Sequence, residues 1–118
     1  MDLSLVKLFQ NLNKNGVPKL MRIIKQMEPF GPSNPRPVFC FKKLYFKAPP
    51  RIVGQKHIKF LFTDFQQAER IEGIWFNSVE QFQKINKLEK ADVVGSVVEN
   101  YYNNQMNLQL NIKDVKPS

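Results

Sequence analysis

The chain has 118 residues, enough for one compact domain with its own hydrophobic core and too few for two full domains. Eighteen Lys and Arg against ten Asp and Glu give a formal net charge of +8, a balance typical of proteins that meet a polyanion. Cys40 is the only cysteine, which excludes an internal disulfide and a cysteine-rich metal site and indicates a reducing compartment, the cytoplasm.

Residues 1–28 show helical periodicity. Apolar residues recur at helical spacing after Pro18, and proline is favoured in a first helical turn, so the pattern predicts a helix over residues 18–27. An earlier run of leucines gives a weaker signal, which fits a short helix or the frayed end of something larger. We interpret residues 1–28 as a helical segment at the junction with an upstream domain. The two patterns consist of Leu20, Ile23, Ile24 and Met27, and of Leu3, Leu5, Leu8 and Leu12.

Residues 29–37 form the next segment, in which four prolines fall between Pro29 and Pro37. Each proline fixes its own φ and biases the preceding residue toward extended geometry, so the segment predicts a rigid, non-helical connector. The alternative is a polyproline ligand for an adaptor domain. Apolar strands follow at once, which favours the connector.

From Val38 onward the apolar residues alternate with a period of two. The alternation predicts strands over residues 38–46, 56–62 and 70–76, with Pro49-Pro50 and Gly54 marking the first turn. In the third strand we expect Ile74 and Phe76 on the face opposite Trp75, and we expect Cys40 to be buried in the first strand. The phenylalanines assigned mainly to the core are Phe39, Phe41, Phe60, Phe62, Phe76 and Phe82.

A helix and two further strands follow. Ser78 stands three residues before Gln81, the spacing of a capping box, and opens a helical pattern over residues 78–88. Residues 92–101 predict a fourth strand, Asn103-Asn104 a turn, and residues 106–113 a fifth strand. Five short strands with a helix between the third and fourth predict an all-β fold with short helices: a five-stranded Greek-key OB-fold barrel over residues 38–118, preceded by the N-terminal helix. An SH3-like barrel also has five strands but normally lacks an amphipathic helix at that place.

The connector carries a motif. Residues 28–39 read EPFGPSNPRPVF and resemble the E-P-F-G-x-G-N-x-x-P-x-F signature that joins the core of RecJ-like single-strand-specific DNA exonucleases to their OB domain. Residues 53–59 (VGQKHIK) look like the family's V-G-x-x-H-L-K stretch, and residues 73–76 and 108–115 resemble two of its later strands. The resemblance covers roughly residues 17–117. Ser33 departs from it by replacing a glycine, and a serine with positive φ there would be strained.

The resemblance implies a non-catalytic module of a larger enzyme. The family's reaction uses Asp and His ligands around divalent Mn or Mg on upstream catalytic domains. Here His57 is the only histidine and the ten acids are scattered, so we expect no catalytic residue, metal ligand or cofactor in this chain. We expect single-stranded DNA and the upstream catalytic domains of the same enzyme as partners. Because no apolar run approaches the roughly 20 residues of a membrane span, we expect no membrane contact.

Candidate binding residues come from the basic stretch between Glu28 and Asp64, which has no acid and seven bases. Arg51, Lys56 and Lys59 are expected to contact phosphates, with a merely solvated basic face as the alternative. Trp75 is a candidate stacking platform or, equally, a core residue. Tyr101 and Tyr102 lie beside the Asn103-Asn104 turn, and we expect one of them to pack structurally and the other to contact a base. The seven bases are Arg36, Lys42, Lys43, Lys47, Arg51, Lys56 and Lys59, and the tyrosines are Tyr101 and Tyr102.

His57 fits either a hydrogen-bonded strand residue or a phosphate contact, and a lone imidazole is a poor metal site. Two functions from different classes follow. The first is a single-strand nucleic-acid-binding module that guides a strand to the active site. The second is a structural or protein-interaction OB domain that docks the catalytic core and binds little nucleic acid itself.

Overall fold

The computed structural model describes residues 2–9, 18–66 and 69–118, without the side chains of Val6 and Tyr102. Within these ranges five strands close a barrel in the order β1-β2-β3-β5-β4, with β3 and β5 parallel and the other pairs antiparallel. This is the OB-fold, as predicted. In chain order the elements are α1 (Leu5–Leu8), α2 (Lys19–Gln26), β1 (Phe39–Val53), β2 (His57–Thr63), β3 (Arg70–Trp75), a 3₁₀ turn (Val79–Gln81), α3 (Phe82–Ile85), β4 (Lys90–Tyr102) and β5 (Gln105–Pro117).

Strand β1 is longer than the alternation predicts. It runs through Pro49-Pro50 to Val53, and the predicted turn at the two prolines is wrong. Register shifts between Phe46 and Arg51 place the prolines at irregularities of the ladder, where a residue without an N–H is tolerated. The chain reverses later, beginning at Gly54 with φ of 60°, so the glycine part of the turn prediction is confirmed.

The barrel interior follows the predicted alternation in β2. Ile58, Phe60 and Phe62 are buried, and the rings of Phe60 and Phe62 stack with centroids 5.1 Å apart. Phe39 and Phe41 are also buried, while Phe82 is partly buried against the same core.

Strand β3 reverses the face that we expected to point inward. Ile71 and Gly73 are buried and Trp75 packs partly buried against the core, so Ile74 and Phe76 face outward. The assignment of Phe76 to the core is therefore wrong, because its side chain is 52% exposed. The inward face is hard to recognise in the sequence because Gly73, which lies on it, has no side chain. A Cβ at Gly73 would lie 2.8 Å from Ile112 Cδ1, so an apolar side chain there would displace Ile112.

The insert between β3 and β4 is helical as predicted but shorter. The capping-box prediction is wrong, because the Ser78 side chain makes no capping hydrogen bond to the helical insert. Its hydroxyl instead donates to the Trp75 carbonyl at 2.6 Å, and the Gln81 amide donates to the Ser78 carbonyl at 2.8 Å. Ser78 is buried and φ and ψ of −118° and 9° turn it back toward β3, which removes its hydroxyl from the capping position.

The hairpin between β4 and β5 turns at Asn103-Asn104, as predicted. Both asparagines have positive φ, 52° and 62°, the geometry of a tight two-residue turn that fits the twist of the strands. Farther along the pair, Gly95 permits a close approach, because a Cβ there would lie 2.5 Å from the Asn111 carbonyl oxygen.

The N-terminal helices pack on the barrel. Helix α2 agrees with the prediction to one residue at each end, and Leu5, Leu8, Met21 and Ile24 join the same buried cluster as the barrel residues. The Leu3 backbone amide donates a hydrogen bond to the Cys40 carbonyl at 2.9 Å. Cys40 lies in β1 as predicted, but it is half-buried and not fully buried. Leu12 lies outside the described residues. The division at residues 28 and 38 stays a prediction.

The connector is a compact turn. Gly31 and Asn34 exchange backbone hydrogen bonds of 2.9 and 3.0 Å, and the Asn34 amide group donates to the Met27 and Pro29 carbonyls at 2.7 and 2.9 Å. Ser33 does not have positive φ, so serine is unstrained at the position where the signature has glycine. The Arg36 guanidinium lies over the Phe30 ring, 4.5 Å from its centroid, and this cation–π contact links the two ends of the turn.

Candidate nucleic-acid interface

The outer face of β1, β2 and β3 collects side chains in rows, because directly opposite residues of neighbouring strands point to the same side. One row contains Arg51, Lys59 and Ile74, which are successive partners. The adjacent row contains Ala48, Leu61 and Glu72, and the next contains Tyr45, Thr63 and Arg70. The sheet therefore brings together cations that are far apart in the sequence.

Two depressions of about 190 Å³ and 730 Å³ adjoin on this face, since both are lined by Lys59, Leu61 and Glu72. We call them together the furrow. The smaller depression extends to Arg51 and Pro49 on β1. The larger one extends over Arg70 to the β4–β5 hairpin and also reaches the N-terminal segment. Its further lining residues include Asn100, Met106, Asn107, Phe9 and Pro18.

The furrow carries an excess of positive charge. Lys59 Nζ lies 4.0 Å from Glu72 Oε2, with the two side chains 32% and 56% exposed. Such an exposed pair contributes roughly 0–1 kcal/mol, so Lys59 can exchange Glu72 for a phosphate at little cost. Arg51 and Arg70 are exposed and form no ion pair with any residue of the described ranges.

Lys56 and His57 lie at the hairpin end of the same face. The Lys56 carbonyl accepts hydrogen bonds from the Ser78 and Val79 amides at 2.9 and 3.1 Å, which ties the β1–β2 turn to the start of the helical insert. His57 Nδ1 accepts a hydrogen bond from the backbone amide of Asn77 at 2.9 Å. His57 is thus a hydrogen-bonded strand residue, one of the two interpretations left open, and its role toward phosphate stays a prediction.

Two of the predicted aromatic residues, Trp75 and Tyr101, do not line the furrow. Trp75 is the partner of Ile58 and lies on the inner side of β3, against the core. The side chain of Tyr102 lies outside the described part of the chain.

Tyr101 lines a separate depression of about 250 Å³ between α2 and β4, which we call the α2–β4 depression. Its hydroxyl donates to Glu99 Oε2, and Lys25 Nζ lies 3.6 Å from Glu99 Oε1. The hydrogen bond to the Glu99 carboxylate, with a smaller effect of partial desolvation, raises the pKa of the Tyr101 phenol above its ordinary value of 10.0. The phenol therefore stays protonated and bound to Glu99 at neutral pH.

Sequence reasoning missed Arg70, Asn100 and Asn107. Arg70 follows Glu69 directly, so the local sequence has no basic run to draw attention to it. No local sequence signal marks it, because its place follows from strand register: Arg70 is the partner of Thr63, and Thr63 lies two residues beyond Leu61 along β2. The two asparagines enter the furrow only because β4 and β5 extend beyond β3 as a hairpin.

The family model of the RecJ OB domain matches residues 13–114. The chain belongs to the RecJ OB domain family. No curated protein matches it. The match confirms the resemblance carried by the connector motif and the strands, and it assigns nearly the whole chain to this one domain.

In the RecJ OB domain, no group of three or more His, Cys, Asp or Glu side chains among residues 2–9, 18–66 and 69–118 could hold a metal ion. No reaction step is assigned to these side chains, and the expectation that this chain holds no cofactor stays a prediction. None of the described helices is long and apolar enough to cross a membrane.

Proposed function

We propose that this RecJ OB domain binds single-stranded DNA along the furrow and guides the strand toward the active site of a RecJ-like 5′-to-3′ exonuclease. In this proposal hydrolysis and its Mn or Mg ion belong to upstream catalytic domains of the same cytoplasmic enzyme. One observation carries the proposal: Arg51, Lys59 and Arg70 line a single furrow across three strands. In this proposal Lys56 and His57, at the hairpin end of the same face, also contact the DNA.

The chemistry of the furrow supports binding without strong sequence preference. Cations contact phosphates, which are the same in every sequence, and their binding releases counterions from the strand. The amide side chains of Asn100 and Asn107 add neutral donors and acceptors for sugars, phosphates or bases.

Fluorescence anisotropy of a labelled oligothymidylate tests this proposal. An oligonucleotide of about 15 nucleotides covers the site size of one OB-fold, roughly 4–16 nucleotides. Four cations that contact phosphates, Arg51, Lys56, Lys59 and Arg70, predict a slope of about −3 for log K against log salt concentration, since each contact contributes about −0.7 on a single strand. Absence of binding at low salt would refute the proposal for this chain.

A matched pair of triple variants locates the site. Substituting Arg51, Lys59 and Arg70 by Ala should weaken binding and flatten the salt slope. Substituting Lys84, Lys87 and Lys113 by Ala removes the same charge outside the furrow, 8 − 3 = +5 in both variants, and should leave the slope unchanged. Equal weakening by both triples would show that binding follows net charge and that the furrow is not the site.

A second candidate is a docking function toward the catalytic domains. The observation that favours it is the exposure of Ile23 on α2 and of Met27 directly after the helix. In this case the oligonucleotide would not bind at low salt, while the chain would co-elute with separately produced catalytic domains in size-exclusion chromatography.

A further inference from the structure

Phe76 is an exposed aromatic residue in a well-anchored place. It directly follows the last residue of β3, and its side chain is 52% exposed. The His57 ring lies behind it, with ring centroids 5.1 Å apart and an interplanar angle of 74°. An edge-to-face pair of this kind is a favourable arrangement and leaves part of the Phe76 ring open to solvent.

The backbone around this ring pair is held on both sides. Asn77, which follows Phe76, donates its amide hydrogen to His57 Nδ1 at 2.9 Å. The next residue, Ser78, donates its hydroxyl to the Trp75 carbonyl at 2.6 Å and its amide to the Lys56 carbonyl at 2.9 Å. These bonds hold the backbone beside Phe76, and the His57 ring packs against the Phe76 side chain, so this site loses less conformational entropy when a ligand stacks on it.

Cations flank the ring pair. Lys56 precedes His57 in the β1–β2 turn, and Lys59 follows it by two residues along β2, about 7 Å away at the strand rise of roughly 3.3 Å per residue. A partner that covers the Phe76 ring therefore also meets positive charge. A nucleotide meets both demands, because it joins a flat base to a phosphate.

We propose that Phe76, backed by His57, is the nucleobase-stacking site at the hairpin end of the furrow. The inference rests on the proposed function and makes it more specific: the cations hold phosphates, and this ring holds a base. Trp75, for which the sequence left stacking and a core position equally open, packs on the inner side of β3.

The test uses the whole 118-residue chain and two oligonucleotides of equal length and charge, one of thymidylate and one with abasic sugars throughout. Anisotropy gives the ratio of their affinities. The wild-type chain should bind the thymidylate strand more tightly. Substituting Phe76 by Ala should weaken thymidylate binding by roughly 5- to 150-fold, the range for one stacked base, and leave abasic binding and the salt slope unchanged.

Two further variants control this test. Phe76→Tyr keeps the flat ring and should keep the preference for thymidylate, which shows that the ring is what matters. Phe65→Ala removes a more exposed phenylalanine, 79% exposed and beyond the opposite end of β2, and should leave the preference intact. Circular dichroism melts of each variant report whether the barrel is folded.

The outcomes separate the two proposals. If the wild-type chain binds neither oligonucleotide, the proposed function and this inference both fall. If it binds both equally, or if Phe76→Ala keeps the preference or weakens both alike, only the stacking assignment falls. Loss of the preference in Phe65→Ala instead of Phe76→Ala moves the stacking site to the other end of the face and overturns the inference.

Discussion

The furrow and the α2–β4 depression lie on the same small barrel but balance their charges differently. Both contain Arg or Lys beside carboxylates, so the presence of cations alone does not distinguish them. In the furrow three cations meet one acid, whereas in the α2–β4 depression two cations meet two acids. The charged lining residues are Arg51, Lys59, Arg70 and Glu72 in the furrow, and Lys25, Arg36, Glu28 and Glu99 in the depression.

If the proposed function holds, a net charge of +8 attracts phosphates most strongly where cations lack nearby carboxylates. At the α2–β4 depression, Glu99 engages both Lys25 and the Tyr101 hydroxyl. A phosphate arriving there would have to displace a carboxylate and would meet repulsion from Glu28. The furrow offers two arginines without such competition.

Reversing the charge of the furrow is the change with the largest expected effect. Arg51→Glu with Arg70→Glu lowers the net charge by 4, to 8 − 4 = +4, and gives the furrow an excess of acids. Because two phosphate contacts become repulsive, we expect oligonucleotide affinity at low salt to fall by at least about 100-fold. Anisotropy measures the loss.

The same reversal outside the furrow is the control. Lys84→Glu with Lys87→Glu on and after α3 also gives +4, and we expect a loss of no more than about threefold from the weaker long-range field. Comparable losses in both variants would contradict the distinction between the furrow and the rest of the surface.

Neutralising the acid of the furrow should have a smaller and opposite effect. Glu72→Gln releases Lys59 from its 4.0 Å pair and removes a charge that repels phosphates. An exposed charge of this kind is worth up to about 1 kcal/mol, so we expect binding to tighten by roughly two- to fivefold at low salt. Glu99→Gln gives the same net charge, 8 + 1 = +9, and should leave affinity unchanged. Equal tightening in both would assign the effect to net charge.

The barrel could be predicted because its signals are local. Alternation in β2 marks Ile58, Phe60 and Phe62 as inward residues, and Asn103-Asn104 marks the last hairpin, since each pattern needs only neighbours in the sequence. The prolines of β1 misled the turn prediction, because a bulged strand tolerates them and sequence does not reveal bulges.

The candidate site could be predicted only in part. Arg51 and Lys59 fall in a visible basic stretch, whereas Arg70 joins them through the pairing of β2 with β3, which is not encoded locally. Phe76 was assigned to the core, and Trp75 was left between the core and a stacking role, because the inward position before them is Gly73, which has no side chain to indicate its face. A single glycine thus concealed which of the two aromatic residues faces outward.

The α2–β4 depression can be examined directly through the ionisation of Tyr101. Tyr101 is 65% exposed, and the hydrogen bond to Glu99 raises the pKa of its phenol above 10.0. Since the folded chain holds this proton more tightly than the unfolded chain, the bond stabilises the fold below the pKa of the unfolded chain. This stabilisation is lost as pH rises through the pKa of the folded chain.

Glu99→Gln removes the carboxylate, so the pKa of the Tyr101 phenol should fall toward 10.0. Phenolate absorbance along an alkaline titration measures it, with Tyr101→Phe subtracted to remove the other two tyrosines. Identical titrations with and without Glu99 would mean that this carboxylate is not engaged as described, and the charge balance that separates the two regions would then have to be redrawn.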